Sequence, residues 1–217
     1  MGPDLEDLYR LWNIVYLNKR TCVLEFGSGY SSLVISNALS HLKNKYIKKI
    51  NHLRRNNKFE HFILENEKKY LNITKKRIIK HSSVITNKIH FNFSNVKMSL
   101  MNNRIVTIYD KLPLCVPDFI YLDGPNQFKV KSDINGISTR HNDMLPMVGD
   151  LIKLEYFFLP GTIILVDGRG ANVFFLKNNF QRNWLYNYNK NYDQHILYLN
   201  DKSIGPLNRK LIKFYNC

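Results

Sequence analysis

The sequence predicts an α/β fold, a doubly wound and mostly parallel sheet with helices on both faces and an antiparallel closing strand. Three observations predict it. Short apolar runs alternate with stretches of helical periodicity. The runs are apolar throughout, as strands covered on both faces are, rather than at every second residue. And four of them end in a carboxylate, at Glu25, Glu65, Asp123 and Asp167.

Taken in order, residues 4–18 carry Leu5, Leu8, Leu11, Trp12 and Val15 at i, i+3, i+4 spacing, within an N-terminal helical segment 1–19. "TCVLEF" is the first strand. Helical spacing resumes over residues 31–42 with Leu33, Val34, Leu39 and Leu42. "HFILEN" is a second strand, "EKKYLNITKKRIIKH" a helix and "KIHFNFS" a third strand. "PDFIYLDGP" is a fourth, and residues 144–158 read as a helix stopped by Pro160-Gly161. "TIILVDGR" is the fifth strand and "ANVFFLKNNF" a helix. "WLYNYN" and "HILYLN" form a closing pair, with the aromatic stretch from Trp184 to Tyr198 expected in the sheet core. No repeat and no Pro/Gly/Ser linker interrupts the chain, so 1–217 reads as a single domain.

The chain has 217 residues and carries 32 basic against 17 acidic residues, a net charge of +15. Such a surplus suits acidic partners such as nucleic acid, an anionic membrane or phosphorylated metabolites. A composition rich in Lys, Asn and Ile throughout explains it equally. No apolar run reaches the roughly 20 residues of a membrane span. The acidic, amphipathic start resembles neither a signal nor a transit peptide. Cys22, Cys115 and Cys217 form no CxxC pair, which points to reduced thiols and a cytoplasmic protein. Residues 43–58 hold seven Lys or Arg and no acid. With Tyr46 and His52 interleaved they could track a phosphate backbone, or form a solvated helix.

In doubly wound sheets ligands bind beyond the carboxyl ends of the strands, where the strand order reverses. The four strand-end carboxylates mark that rim, although a strand-end acid can equally cap the next helix. The most informative stretch is "VLEFGSGYSS". Gly27 and Gly29 let backbone approach a ligand closely. The spacing departs from a dinucleotide fingerprint, because Ser32 takes the third glycine position and Glu65 lies 36 residues beyond Gly29. A carboxylate at Glu25 suits a ligand with positive charge, such as an amino group or sulfonium, better than a pyrophosphate.

On these residues the chain resembles the class I S-adenosylmethionine-dependent methyltransferases. "LEFGSGYSS" resembles their first motif, Glu65 in "FILEN" the acid that ends their second strand, and "PDFIYLDGP" and "PGTIILVDGR" their fourth and fifth strands, over roughly residues 20–200. The resemblance implies a Rossmann-like fold and S-adenosylmethionine as cofactor. It implies that Glu25, Gly27, Ser28 and Gly29 line the methionine and ribose portion. Tyr30, Ser31 and Ser32 would meet the methionine carboxylate at a helix start. Glu65, with Asn66 beside it, would hold the ribose hydroxyls, and Ser94 and Asn95 would flank adenine.

Asp123 is the first candidate for contact with the acceptor or for removing its proton; orienting the cofactor is its other reading. Some small-molecule O-methyltransferases bind Mg²⁺ through an Asp after the fourth strand and an Asp-Asn pair after the fifth. Here Asp123 and Asp167 stand in place, Gly168 occupies the Asn position, and Asn172 is the substitute candidate for a Mg²⁺ site. Residues 124–149 form a candidate substrate lid. In it, His141 and Asp143 are catalytic candidates and Arg140 a substrate contact, against the alternative of surface residues without a task. Arg169 could clamp an acidic acceptor or pair with a neighbouring carboxylate.

The expected activity is methyl transfer to a hydroxyl of a small molecule or glycan. The alternatives are RNA or another polyanion as acceptor, and a non-methylating nucleoside-binding or aminopropyl-transfer protein on the same fold. Oligomeric state is not encoded legibly.

Overall fold

The computed structural model describes residues 3–216; Met1, Gly2 and Cys217, and with them the third cysteine and the start of the 1–19 segment, lie outside the described residues. Helix α1 (Leu5–Leu17) starts where the Asp4 carboxylate accepts hydrogen bonds from the N–H groups of Glu6 and Asp7, the usual satisfaction of orphan first-turn donors. Strand β1 (Cys22–Phe26) leads through the glycine turn into α2 (Tyr30–Ile50). Then come β2 (Glu60–Glu65), α3 (Lys68–Lys80), β3 (Lys88–Phe93), a hairpin of β4 (Val96–Met101) and β5 (Arg104–Tyr109), and β6 (Phe119–Leu122). After a short strand β7 (Val130–Lys131) follow α4 (Asp150–Leu154), β8 (Ile163–Asp167), α5 (Gly170–Asn179), β9 (Trp184–Asn189), β10 (Gln194–Leu199) and α6 (Pro206–Asn216).

The main sheet has seven strands in the order β3-β2-β1-β6-β8-β10-β9. The first five run parallel, and β10 is antiparallel to both β8 and β9. The order reverses between β1 and β6, which places the switch point beside the glycine turn. Because side chains alternate along a strand, Val23 faces the helices α1 and α2 and packs with Leu11, Val15, Ile35 and Leu39. Leu24 and Phe26 face the other side with Ile120, Leu122, Leu151 and Val173. All of these are essentially fully buried, each such side chain contributing about 1.5–3 kcal/mol.

Four sequence expectations change. The helix expected over 144–158 is only α4 followed by one 3-10 turn, Glu155–Phe157. Upstream of it, Met147 and Val148 lie extended against Thr107, whose N–H bonds to the Met147 carbonyl at 2.8 Å. Gly149 fits there because an added Cβ would come within 3.0 Å of Met101 and Val106 side-chain atoms. Second, the β4–β5 hairpin is an addition to the expected pattern. It turns on Asn102 and Asn103, both at positive φ, where Asn is among the tolerated residues.

Third, the basic segment 43–58 is the last two turns of α2 and the loop after it. Most of its basic residues are solvated, but Arg55 is buried and meets Asp118 at 3.1 Å. Asp118 opens the way into β6, accepts from the N–H groups of Thr21 and Cys22 and from Tyr215 Oη, and so ties together the pole opposite the carboxyl ends. Fourth, the closing pair divides. β10 is mostly buried, whereas β9 is an edge strand with most residues exposed, though Trp184 still stacks on Phe180.

Candidate active site

The glycine turn holds two conformations with different tasks. Gly27 sits at φ +101°, and a Cβ there would lie 3.2 Å from backbone atoms of Asp123 and Gly124. A Cβ on Gly124 would come within 2.6 Å of Gly27 N. The two glycines let the ends of β1 and β6 cross, so Gly27 is spent on chain against chain. Gly29 is extended, and only Ser31 Oγ, at 3.7 Å, stands near the place of its Cβ. Gly29 is therefore the position where the turn is open.

Glu25 is not the ligand-facing acid that its place in the sequence suggests. It has the same orientation as Val23 and points beneath α2, where it is 1% exposed. Ser31 Oγ and Ser32 Oγ each donate to it at 2.6 Å, and His61 Nε2 lies 3.1 Å away. Ser32 Oγ also accepts from Gly29 N at 3.1 Å. Glu25, Ser31 and Ser32 thus lock the turn to the helix. The ligand-accessible donors of this turn are the N–H groups of the first turn of α2, and Tyr30, half-exposed with Arg77 stacked 3.7 Å over its ring, borders them.

Glu65 ends β2 and does reach the turn. Ser28 Oγ donates to it at 2.7 Å and Glu67 N at 2.8 Å. Burial raises its pKa even against these bonds. Next to it, Asn66 is buried and clasped by Asn126. Ser94 and Asn95 are turned to another task. Ser94 Oγ accepts from Lys111 N and the Asn95 carbonyl from Asp110 N, so both hold the corner of the β4–β5 hairpin.

The rim on the far side of β1 opens into a cleft of about 210 Å³. Gly29, Tyr30 and Ser31 form one wall, and Tyr121, Asp123, Asp167 and Gln194 another. The roof is α1 with the residues before it, through Asp4, Asp7, Leu8 and Leu11. Every charged residue lining it is an aspartate, in a chain with almost twice as many bases as acids. Asp123 is raised to about 6 by burial, with repulsion from Asp167 and Glu25 opposing the pull of Arg169. Its side chain keeps 53% of its surface open, so water tempers the shift. Asp167 is also raised by burial and accepts from Tyr121 Oη at 3.2 Å.

Arg169 binds the carbonyls of Asp123 and Pro125, and its Nε lies 3.5 Å from the Asp123 carboxylate. It braces the β6 loop rather than facing the cleft. His141 and Asp143 lie 3.8 Å apart on the outside, with side chains 63% and 89% exposed, and neither lines the cleft. The Arg140 guanidinium is tied to the Val130 carbonyl at 3.2 Å. The placements of Arg140, His141 and Asp143 share a cause. Residues 124–149 form a strap whose β7 pairs with β4, with Gln127 Nε2 bonded to the His141 carbonyl and Thr139 Oγ1 to the Gln127 carbonyl. Gln127, Thr139 and Arg140 spend their side chains holding that shape, while His141 and Asp143 stay on its outer surface.

The Mg²⁺ set does not assemble. Asn172 is fully buried in α5, and its Oδ1 accepts from Val148 N at 3.1 Å. Asp123 and Asp167 remain at the rim as carboxylates alone, and no cluster of three or more His, Cys, Asp or Glu suited to a metal occurs among the described residues. Sequence reasoning missed Tyr121, Gln194, Asp4 and Asp7. Tyr121 stands two residues before Asp123, where strand alternation could have found it; nothing in the sequence places α1 or β10 over this cleft.

No family model matches the chain and no curated protein does. Among solved structures it is similar to an O-methyltransferase from Bacillus cereus in complex with SAH. That match has 14% identity and a TM-score of 0.49, over 92% of this chain and 83% of the other. It is also similar to the O-methyltransferase TomG from Streptomyces achromogenes, involved in tomaymycin synthesis and in complex with SAM. Here identity is 12% and the TM-score 0.47, over 93% and 82%. No helix among the described residues is long and apolar enough to cross a membrane. By its own strand order and the reversal between β1 and β6, the chain has a Rossmann-like, doubly wound fold.

Proposed function

We propose that this chain transfers a methyl group from S-adenosylmethionine to a hydroxyl of a small molecule. The observation that carries this reading is the convergence, at the β1–β6 reversal, of an open Gly29 turn, the Ser28–Glu65 pair and an acid-lined cleft. The donor set fits the cofactor: each Glu65 oxygen accepts one bond, from Ser28 Oγ or Glu67 N, and keeps a further lone pair for a diol, and the first turn of α2 offers N–H groups to a carboxylate. The cofactor would supply an electrophilic methyl on a sulfonium. The chain's own part is alignment, which can lower the barrier greatly, and proton removal. Asp123, raised toward neutrality and open to the cleft, is the group that takes the acceptor proton.

The cleft disfavours RNA or another polyanion, since four aspartates repel phosphate. The same acids favour a second reading, aminopropyl transfer to an amine, and the product mass separates the two. The test of the first is direct. S-adenosylhomocysteine should raise the melting temperature, and Glu65→Ala should remove that shift. No shift with either S-adenosylmethionine or S-adenosylhomocysteine refutes the reading.

A further inference from the structure

The charges in the cleft divide into paired and unpaired. Arg10 pairs with Asp7 and stacks on the ring of Tyr192 at 3.6 Å. Arg169 pairs with Asp123. Asp4 and Asp167 have no cationic partner within ion-pair distance among the described residues, and both line the cleft. Asp4 caps α1 through one oxygen, Oδ1, and Asp167 accepts only from a neutral phenol, Tyr121 Oη. Gln194, the cross-strand partner of Asp167, is 4% exposed, lines the same cleft, and has a side-chain amide with no hydrogen bond among the described residues. The little surface that Gln194 keeps is turned to the cleft, which leaves its amide free to bond a ligand there, and two carboxylates facing a common space repel each other. A ligand cation relieves that repulsion. Leu8 and Leu11 add an apolar wall to the same space.

We propose that the acceptor is a small molecule carrying an ammonium group, seated between Asp4 and Asp167 with Gln194 and Tyr121 as hydrogen-bond partners. The inference rests on the methyltransferase reading and names the substrate class of its cleft. The seat lies under α1, across from the Gly29–Ser31 wall assigned to the cofactor. It is a positioning site: it fixes the spectator charge so that the reacting group meets Asp123.

Calorimetry on the full chain tests this. S-adenosylhomocysteine is titrated first, then 2-phenylethylamine, 2-phenylethanol and phenylacetate against its complex. The amine should bind at least about tenfold more tightly than the alcohol or the acid, as a charge-assisted contact predicts. Asp167→Asn should abolish that preference. So should Asp4→Asn, which keeps the helix cap because Asn caps as well as Asp. Both variants should change S-adenosylhomocysteine affinity by less than about twofold. Equal binding of the three probes overturns the proposal. So does an equal loss of S-adenosylhomocysteine affinity in the variants, since the seat would then be the cofactor's own. If S-adenosylhomocysteine fails to bind while the amine still does, the methyltransferase reading falls and the cation seat stands; if neither binds, both fall.

Discussion

Asn66 and Asn126 clasp each other: Asn126 N–H donates to Asn66 Oδ1 at 3.0 Å, and Asn66 Nδ2 donates to the Asn126 carbonyl at 3.2 Å. The pair joins the end of β2, where Glu65 stands, to the start of the 124–149 strap. The clasp covers this corner, where Glu65 is 4% and Asn66 7% exposed. Two hydrogen bonds at about 0.5–1.5 kcal/mol each hold it. Asn66→Ala should speed amide hydrogen exchange over residues 124–131 roughly tenfold or more, with the global melting temperature little changed. Unaltered exchange there would show that the clasp does not govern the strap.

The two glycines of the crossing predict a split from the third. Gly124→Ala forces a Cβ to within 2.6 Å of Gly27 N, and overpacking of this kind costs about 1–3 kcal/mol. Gly29→Ala meets only Ser31 Oγ, at an unstrained 3.7 Å. It should leave denaturant stability within about 0.5 kcal/mol of wild type and instead weaken S-adenosylhomocysteine binding.

Asp150 carries a pH dependence of stability. It is 1% exposed, its carboxylate accepts from the Tyr109 N–H, and burial raises its pKa to about 7. A carboxyl raised from an unfolded value of about 3.9 contributes its full stability below pH 4 and loses it as pH rises through 7. Asp150→Asn keeps an acceptor for Tyr109 N–H. It should raise the melting temperature at pH 8 and flatten the slope between pH 5 and 8. An unchanged slope would remove Asp150 from the account.

Asp123→Asn should leave S-adenosylhomocysteine affinity intact and lower turnover by about 10²–10⁴. In the wild type, activity should climb with pH through about 6, where Asp123 loses its proton. Turnover unaffected by the substitution would leave the proton to another group.

At the opposite pole, Arg55→Met should cost about 3–5 kcal/mol in urea unfolding, because it leaves the Asp118 carboxylate, with a side chain 4% exposed, short of its charge partner. The S-adenosylhomocysteine affinity of the folded variant should be unchanged, since the pair lies at the amino ends of the strands.

Much of the rim was legible. Glu65, Asp123 and Asp167 each follow an apolar run, and each stands at a strand end. The β4–β5 hairpin was missed, although the alternation of Val96, Met98 and Leu100 and the Asn102-Asn103 turn are signals that could have found it. His141 and Arg140 read as functional because a long polar stretch carries no periodicity to reveal that its side chains bond to its own backbone.

The sequence by itself determined the alternation of strands and helices, the parallel sheet and the three acids at strand ends, because hydrophobic period and chain punctuation are local properties. The tertiary structure alone decided which acids meet a ligand. Register turned Glu25 under α2 toward Ser31, Ser32 and His61, and crossover packing brought Asp4 from α1 and Gln194 from β10 to the side of Asp167. The direction a side chain faces depends on which neighbouring element covers it, and that neighbour is set by contacts far apart in the chain.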